Sequence, residues 1–212
     1  MSEAGQPRLR RQPQQARSRA RVEAVLAAAD RILAQEGYEA LTMRRVADEA
    51  GVPVGSIYQF YPDKGAVVDA LGQQYLGNFK VAIDGLVERA LAGELPDFVD
   101  TVVDEYADLF RRQAGGVALW SGRHVSTELA RADEASNALV AEGLRRIMEY
   151  LLGRPADARI ERAARMVVWV ADSVLSQVFR PGAQAGPETL DELKAMLRVY
   201  WDDLRGGATA GG

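Results

Sequence analysis

The stretch TMRRVADEAGVPVGSIYQFYPDK, residues 42–64, contains two short helical patterns separated by a glycine. Thr42 can cap the first helix, because its hydroxyl can accept a hydrogen bond from a free backbone N–H of the first turn. Gly51 ends that helix, since left-handed backbone angles favour glycine. Pro53 can begin the next helix, where its missing N–H costs nothing. Two short helices joined by a glycine turn are typical of a helix-turn-helix, whose second helix fits the DNA major groove.

The same stretch predicts which side chains of the two helices face inward and which face outward. Its inward residues recur at helical spacing and are Val46, Ala47 and Ala50 in the first helix and Ile57 and Tyr61 in the second. The outward residues of the second helix are small or weakly charged, which suits close approach to base edges: Val54, Gly55, Ser56, Gln59 and Phe60. Turn chemistry alone leaves open an ordinary helical hairpin of an all-α protein.

The residues after the second helix predict the start of a third one. Pro62 ends the second helix, and Asp63 can cap the next. Lys64 then lies in a first helical turn, where a cation opposes the helix dipole. A nearby anion such as a phosphate would explain a lysine at this position.

The pattern extends well beyond the turn. The string ILAQEGYEALTMRRVADEAGVPVGSIYQFYPDKGAVVDAL, residues 32–71, follows a helical repeat of apolar residues that begins at Val22. Residues 19–71 resemble the tetracycline-repressor (TetR) family of bacterial transcription regulators, through Gly37-Tyr38, Thr42, Val46-Ala47, Ala50-Gly51-Val52, Gly55-Ser56-Ile57-Tyr58 and Lys64. The family usually has a phenylalanine directly before the Pro/Ser-x-Lys segment, whereas here Phe60 precedes Tyr61.

The resemblance implies an all-α fold and a set of DNA contacts. We expect Arg44 to reach a base or its flanking phosphate, and Thr42, Tyr58 and Lys64 to hold the DNA backbone. The full expected DNA-binding set is Thr42, Arg44, Arg45, Val54, Gly55, Ser56, Tyr58, Gln59, Phe60 and Lys64. The expected partner is double-stranded DNA with a palindromic operator, since a dimer would present two recognition helices.

Charge is divided unevenly along the 212-residue chain, whose net charge is −4. Residues 1–64 carry ten Arg and Lys against eight acids, a charge of +2, so the remainder carries −6. Residues 8–21 hold six arginines and no acid, which predicts a solvated flexible arm that can also contact phosphates or the minor groove. The acidic remainder would be repelled by DNA.

The rest of the chain consists of amphipathic helical patterns without a strand signal. Helices are predicted from about 66 to 92, from Pro96 to a break at Gly115-Gly116, and then over about 133–152, 156–180 and 187–204. We therefore expect a flexible basic arm over 1–17, a DNA-binding domain over 18–64, an effector-binding and dimerisation domain over 65–205, and a disordered tail over 206–212.

The last two long helices carry more apolar surface than one neighbour can cover. The resemblance implies that they pair with a second copy as a four-helix bundle, through 156–180 and 187–204. Burial in a monomeric core is the alternative. A homodimer also fits the spacing of two half-sites on DNA.

The resemblance further implies a ligand cavity between the middle helices. Its expected lining combines aromatic and apolar side chains with polar anchors: Phe79, Ile83, Val103, Tyr106, Phe110, Trp120, His124, Trp169 and Asp172, with Gln177 as a further polar candidate. Plain core packing is the alternative for the aromatic residues. Asp172 needs a partner if it is buried among its apolar neighbours, but it can also face water or the dimer interface.

Composition argues against other function classes. The chain has no cysteine and one histidine, and it shows no glycine-rich phosphate loop, nucleophile elbow or metal-ligand cluster. We therefore expect no enzyme activity, cofactor or metal ion. No apolar run approaches the length of a membrane span, so a cytoplasmic, nucleoid-associated protein is expected. An effector-released repressor is the favoured function, and an architectural or division-related DNA-binding dimer without an effector is the alternative.

Overall fold

The structure, a computed structural model, describes residues 16–121, 126–180 and 182–206. Within these ranges the ordered elements are helices, with no strand. They are α1 Ala16–Glu36, α2 Met43–Ala50, α3 Val54–Tyr58, α4 Lys64–Leu91, α5 Phe98–Arg112, α6 Ala114–Ser121, α7 Thr127–Leu152, α8 Ala158–Phe179 and α9 Glu188–Gly206, with a 3-10 turn at Tyr38–Ala40. The predicted all-α fold, with a helix-turn-helix followed by a larger helical region, is confirmed. In the described ranges no helix has the length and apolarity of a membrane span.

The two ends of the chain lie mostly outside the described residues. Of the predicted arm, only its last two residues are described, and they begin α1. Of the predicted tail, only Gly206 is described, and it ends α9.

The chain divides into two compact units. The N-terminal unit comprises the residues through Gly77 together with Arg112–Asp133, and the C-terminal unit comprises Asn78–Arg111 and the residues from Glu134 onward. This division differs from the expected boundary after residue 64, because the first part of α4 and all of α6 belong with α1. The hydrogen bonds that join these three helices have no local sequence signature.

The N-terminal unit is built around α1. Its apolar residues recur every three or four positions, so that one face of the helix is buried. Gly37 ends the helix with a φ of 79°, in the left-handed region that glycine adopts at little cost. The core of this unit includes Val25, Ala29, Ile32 and Leu33 of α1, Val46 and Ala47 of α2, Ile57 of α3 and Val67 and Leu71 of α4.

The C-terminal unit buries one cluster of apolar side chains from the second part of α4 and from α5, α7, α8 and α9. Two of its helices begin at aspartate caps. Asp97 accepts a hydrogen bond from the N–H of Asp100 at 3.1 Å, and Asp157 accepts from the N–H groups of Ile160 and Arg159 at 2.9 and 2.8 Å. The bond from Ile160 lowers the pKa of the Asp157 carboxyl, followed by the bond from Arg154.

Ion pairs set the register between α9 and α5. Lys194 Nζ lies 2.6 Å from Asp104 Oδ1, and Arg198, one turn later, pairs with Asp100. These pairs are partly solvent-exposed, so each contributes at most ~1 kcal/mol to stability. Their main consequence is therefore a preferred alignment of the two helices.

Two of the predicted helix limits are wrong. Gly115 and Gly116 were expected to break a helix, but both lie inside α6. They are glycines because α6 approaches its neighbours closely: a Cβ on Gly116 would lie 2.7 Å from Cδ2 of Tyr75. The helix predicted from about residue 133 begins at Thr127, since Ser126 Oγ accepts a hydrogen bond from the N–H of Leu129 at 3.1 Å.

The close contact between Gly143 and Ile83 predicts the effect of a substitution on the stability of the protein. A Cβ added to Gly143 on α7 would lie 2.9 Å from Cδ1 of the buried Ile83 on α4. Gly143→Ala should therefore lower the free energy of unfolding by about 1–3 kcal/mol through overpacking. Gly85→Ala is the matched control, because nothing lies within 4 Å of its added Cβ and alanine favours the helix by up to ~1 kcal/mol. Urea denaturation followed by circular dichroism measures both, and equal shifts in midpoint would contradict this packing.

Candidate DNA interface

Helix α2 begins and ends as its sequence predicts. Thr42 has extended backbone angles, and its Oγ1 accepts a hydrogen bond from the N–H of Arg45 at 3.2 Å. Gly51 adopts the left-handed region with φ 65° and ψ 32°. Met43, Val46 and Ala47 form the buried face, so the opposite face of α2 carries its charged residues outward.

Helix α3 is a five-residue helix with a single fully buried side chain, Ile57. The residues expected on its outer side are solvent-accessible: Val54, Gly55, Tyr58 and Gln59 are exposed and Ser56 is half-buried. Nothing lies within 4 Å of a Cβ built on Gly55. The outer face of α3 is therefore a weakly charged surface with small side chains, which a large ligand can approach closely.

Phe60 corrects one of the expected positions. It was expected on the groove-facing side, but it is 5% exposed and Tyr61 is 1% exposed. The N–H groups of both residues bond to the carbonyl of Ile57 at 2.9 Å, so the chain bends tightly after α3 and turns both rings inward. Burial raises the pKa of Tyr61 to about 12. Phe60 thus belongs to the core of the N-terminal unit.

The two arginines of α2 differ in their surroundings. Arg45 makes a two-pronged pair with Glu36 of α1, with Nη1 2.7 Å from Oε2 and Nη2 bonded to Oε1. The hydrogen bond from Arg45 lowers the pKa of the Glu36 carboxyl. Arg44 is exposed and has no ion-pair partner among the described residues. Arg44 is therefore the arginine of α2 whose charge is available to an anion.

Lys64 begins α4 beside an aromatic ring. Its Nζ lies 4.0 Å from the ring centroid of Tyr38, a cation–π contact that holds the ammonium at the helix N-terminus despite the unfavourable dipole. Asp63 Oδ1 accepts from the N–H of Ala66 at 2.9 Å and caps the same helix. The sequence analysis used Tyr38 only as part of the Gly37-Tyr38 pair, and its contact with Lys64 was not predicted. The available sequence signal was the position of Tyr38 directly after Gly37, because a glycine turn there can direct the ring toward the start of α4.

The candidate ligand residues fall in different places. Phe79, Tyr106 and Phe110 form one aromatic cluster in the C-terminal unit: Phe79 stacks on Tyr106 at 5.7 Å and tilts against Phe110 at 5.6 Å between centroids. Phe179, which sequence reasoning missed, joins at 6.3 Å from Phe110. Its place at the end of an apolar helix gave little signal for this contact.

Tyr106 contributes a buried hydroxyl to this cluster. The oxygen is inaccessible to solvent and has no hydrogen-bond partner among the described residues. Burial raises the pKa of Tyr106, and the charges of Glu105 and Asp84 raise it further. The hydroxyl is therefore protonated. Its O–H donor and its oxygen acceptor are both without a partner among the described residues, in apolar surroundings.

The remaining candidate ligand residues lie outside this aromatic cluster. Ile83 and Val103 are buried in the apolar core of the C-terminal unit, and Trp120 lies in the N-terminal unit, 6.3 Å from Tyr75 between ring centroids. Trp169 is 62% exposed. Asp172 and Gln177 are exposed residues of α8, although the apolar surroundings of Asp172 raise the pKa of its carboxyl through desolvation. His124 lies outside the described residues.

A small cavity lies in the C-terminal unit between α5, α7, α8 and α9. Its volume is about 20 Å³, enough for roughly one water molecule. It is lined by apolar and aromatic side chains: Phe98, Val99, Val102, Val103, Met148, Val167, Leu197, Tyr200, Trp201 and Leu204. Of the candidate ligand residues, Val103 is the member of this lining.

Two family models match the chain. The model described as "Bacterial regulatory proteins, tetR family" matches residues 25–71, and the model described as "Tetracyclin repressor-like, C-terminal domain" matches residues 93–202. The first covers α2 and α3, together with the second part of α1 and the first turns of α4. The second covers α5 through most of α9.

Curated relatives match the N-terminal part of the chain. The "HTH-type transcriptional repressor KstR" of Mycobacterium tuberculosis is 40% identical over 80 residues, which is 37% of this chain and 34% of the relative. The protein of the same name from Mycolicibacterium smegmatis is 40% identical over 80 residues, 37% of each chain. The chain therefore matches about a third of the length of these relatives.

Solved structures match most of the chain. A TetR-family transcriptional regulator from Streptomyces coelicolor is 29% identical, with a TM-score of 0.58, and the match covers 86% of this chain and 98% of that one. A TetR transcription regulator from Haloarcula marismortui has a TM-score of 0.70 at 20% identity, covering 86% and 97% of the two chains. The second likeness concerns the fold alone.

Proposed function

Because the chain belongs to the TetR family of bacterial regulatory proteins, we propose that it is a non-enzymatic, sequence-specific DNA-binding transcriptional repressor. In this proposal, a homodimer binds a palindromic operator and a small, largely apolar ligand releases it. The observation that carries the proposal is the exposed outer face of α3, which follows α2 and its exposed Arg44 in the chain and precedes Lys64 at the start of α4.

The exposed residues divide into base-reading and phosphate-binding groups. Val54, Gly55, Ser56 and Gln59 line the face of α3 that enters the major groove, and among them Gln59 has a side-chain amide suited to a base edge. Thr42, Tyr58 and Lys64 contact the DNA backbone. Arg44 reaches a base or its flanking phosphate. Arg45 supports this surface through its pair with Glu36. The buried Phe60 has no direct DNA contact in this assignment.

Exchanging single DNA-facing side chains tests these roles. Gln59→Ala should relax preference at one base pair and cost ~1–3 kcal/mol of discrimination, because it removes a base-edge hydrogen bond. Lys64→Ala should weaken binding to operator and unrelated DNA alike and reduce the slope of log affinity against log salt by about 1. Fluorescence anisotropy over a salt series measures both. Lys80→Ala, which removes an exposed lysine of the C-terminal unit, is the control.

Two results would count against the assignment. One is a Gln59→Ala protein that loses affinity equally for operator and unrelated DNA. The other is a Lys64→Ala protein whose salt dependence is the same as that of Lys80→Ala.

The homodimer is supported by apolar side chains that the single chain leaves exposed. On α8 these are Met166 and Trp169, three residues apart, and on α9 they are Met196 and Val199, also three residues apart. Trp169 is 62% exposed and Val199 is 72% exposed. Residues three apart lie on one face of a helix, so each helix has an apolar stripe that the described part of the chain leaves uncovered. A second copy that covers both stripes would remove them from water.

Sedimentation tests the dimer. The wild-type protein at micromolar concentration should sediment at about twice the chain mass of 23.1 kDa. Trp169→Asp should shift it toward the monomer, because burying an unpaired carboxylate is costly. Val81→Asp is the matched control, since Val81 is 72% exposed on α4. A wild-type monomer that still binds a palindrome tightly would refute the proposed assembly.

The effector part of the proposal rests on the aromatic cluster of Phe79, Tyr106, Phe110 and Phe179. A buried hydroxyl without a partner costs about 1–3 kcal/mol, so a ligand that hydrogen-bonds the Tyr106 oxygen would recover that energy. Four aromatic rings suit an apolar body. Phe79 lies on α4, the helix that begins with Lys64, so a ligand at this cluster contacts the helix that carries a proposed DNA contact.

Tyr106→Phe gives a two-sided test of this effector site. Without ligand, the variant should be as stable as the wild type or slightly more stable, because an unsatisfied hydroxyl is removed. Release from the operator should need about ten times more effector, the equivalent of ~1.4 kcal/mol. The effector comes from a screen of apolar small molecules for operator release. Tyr150→Phe, at an exposed tyrosine of α7, is the control.

A larger residue at Ile83 would not test the effector site cleanly. The Ile83 side chain packs directly against Gly143, so such a substitution would also disturb the core.

Genome-wide recovery of bound DNA fragments identifies the operator for these assays. Fragments that share a palindrome next to a small set of promoters support a repressor. Broad binding without a shared palindrome, together with no release by any compound, supports the architectural or division-related dimer instead.

A further inference from the structure

A half-buried carboxylate joins three helices inside the N-terminal unit. Asp30 of α1 accepts a hydrogen bond through Oδ1 from the Tyr75 hydroxyl of α4. The same oxygen accepts from the N–H of Gly115, in the first turn of α6, at 3.1 Å. No cation pairs with Asp30 among the described residues. Its charge is therefore held by two neutral donors from two other helices.

The approach of α6 to this carboxylate leaves no room for side chains. A Cβ on Gly115 would lie 2.6 Å from the backbone oxygen of Asp30 and 2.9 Å from the Tyr75 hydroxyl. A Cβ on Gly116 would lie 2.7 Å from the Tyr75 ring. Consecutive glycines thus allow α6 to contact α1 and α4 through its backbone. The position of α6 is defined by these contacts and by the hydrogen bond from Gly115 to Asp30.

Electrostatics favour the same arrangement. The N-terminus of α6 presents free N–H groups and the positive end of the helix dipole, which an acidic side chain stabilises. Asp30 supplies that charge from another helix, in place of a local cap. Burial raises the pKa of Tyr75, and the bond to Asp30 and its charge raise it further, so the phenol remains a donor.

One neighbouring group opposes the docked position. Gln113, two residues before Gly115, is 6% exposed, and neither amide atom has a hydrogen-bond partner among the described residues. An unsatisfied buried amide disfavours the position that buries it. The observed position of α6 therefore includes one stabilising bond, from Gly115 to Asp30, and one unfavourable feature, the unsatisfied amide of Gln113.

We propose that Asp30 is a positioning residue that links the placement of α6 to DNA binding. This inference rests on the proposed DNA-binding function. Asp30 lies on the helix that packs beside α2, and Arg31, the next residue, bonds to Glu49 of α2 at 2.7 Å. When DNA fixes α2 and α3, α1 and its carboxylate are fixed with them, and α6 is held more firmly in its docked position. By linkage, a change that releases α6 weakens DNA binding by the same factor.

Trp120 provides a reporter on α6. Its ring lies 6.3 Å from the Tyr75 ring between centroids. The chain has three tryptophans, so 5-fluorotryptophan labelling gives three fluorine resonances, and Trp120→Phe identifies the one from α6. The full chain is titrated with the operator duplex recovered from genomic fragments, and fluorine NMR and DNA affinity are measured on the same samples.

The expected result is a shift of the Trp120 resonance on DNA saturation in the wild type. In Asp30→Ala, which removes the oxygen that accepts both bonds, and in Tyr75→Phe, which removes one of the two donors, that shift should be lost at full DNA saturation. Affinity for the duplex should be lowered about ten-fold. Tyr61→Phe is the matched control, since it removes a hydroxyl from another buried tyrosine of the same unit. It should keep both the shift and the affinity. If Asp30→Ala fails to fold, Tyr75→Phe carries the test alone.

Three outcomes have distinct meanings. A wild-type protein that binds DNA without a Trp120 shift overturns the link between α6 and DNA binding. A Tyr75→Phe protein that keeps the full shift overturns the role of the Asp30 bonds. A wild-type protein that binds no DNA from the genomic fragments contradicts the proposed function itself.

Discussion

The left-handed backbone at Gly51 is the constraint on which the candidate DNA surface depends. It ends α2 and allows the N–H of Val52 to bond to the carbonyl of Ala47 at 3.0 Å, so the chain turns at once into α3. Helix α3 has five residues and one fully buried anchor, Ile57, which is too little to fix its direction by side-chain packing alone. The direction of its exposed face therefore comes mainly from the backbone at Gly51 and from the inward turn at Phe60 and Tyr61.

Features with a local cause could be predicted from the sequence, and features with a distant cause could not. The cap at Thr42 and the turn at Gly51 depend on residues within four positions, so their chemistry is visible in the chain. From the sequence alone, Gly115 is indistinguishable from a glycine that ends a helix. Its actual role depends on Asp30, 85 residues earlier. Helical spacing from Ile57 placed Tyr61 inward and Phe60 outward, but the chain bends tightly after α3 and both rings turn inward.

The C-terminal unit has two features that a single chain leaves energetically incomplete. Among the described residues, nothing covers the apolar stripes of α8 and α9, and nothing hydrogen-bonds the buried hydroxyl of Tyr106. The two features need different kinds of partner. Apolar surface is stabilised by another apolar surface, which a second copy offers, whereas a buried hydroxyl needs a polar atom, which a mostly apolar ligand can carry. Sequence periodicity predicted more apolar surface on α8 and α9 than one neighbour can cover, but it did not indicate which of these residues stay exposed. It could not predict the unpaired hydroxyl, because that depends on which groups from other helices fail to reach it.

Chain connectivity limits how a change in one unit can reach the other. The chain passes between the units within α4, at the end of α5 and within α7. Two of these passages are inside continuous helices, whose backbone hydrogen bonds resist a local hinge. The third is at Arg111–Arg112, directly before Gln113 and the glycines of α6. This passage lies next to the turn at Gln113, where the helical pattern is interrupted between α5 and α6. A turn resists a change of chain direction less than the interior of a continuous helix does, so of the three passages this is the one where the backbone is easiest to bend.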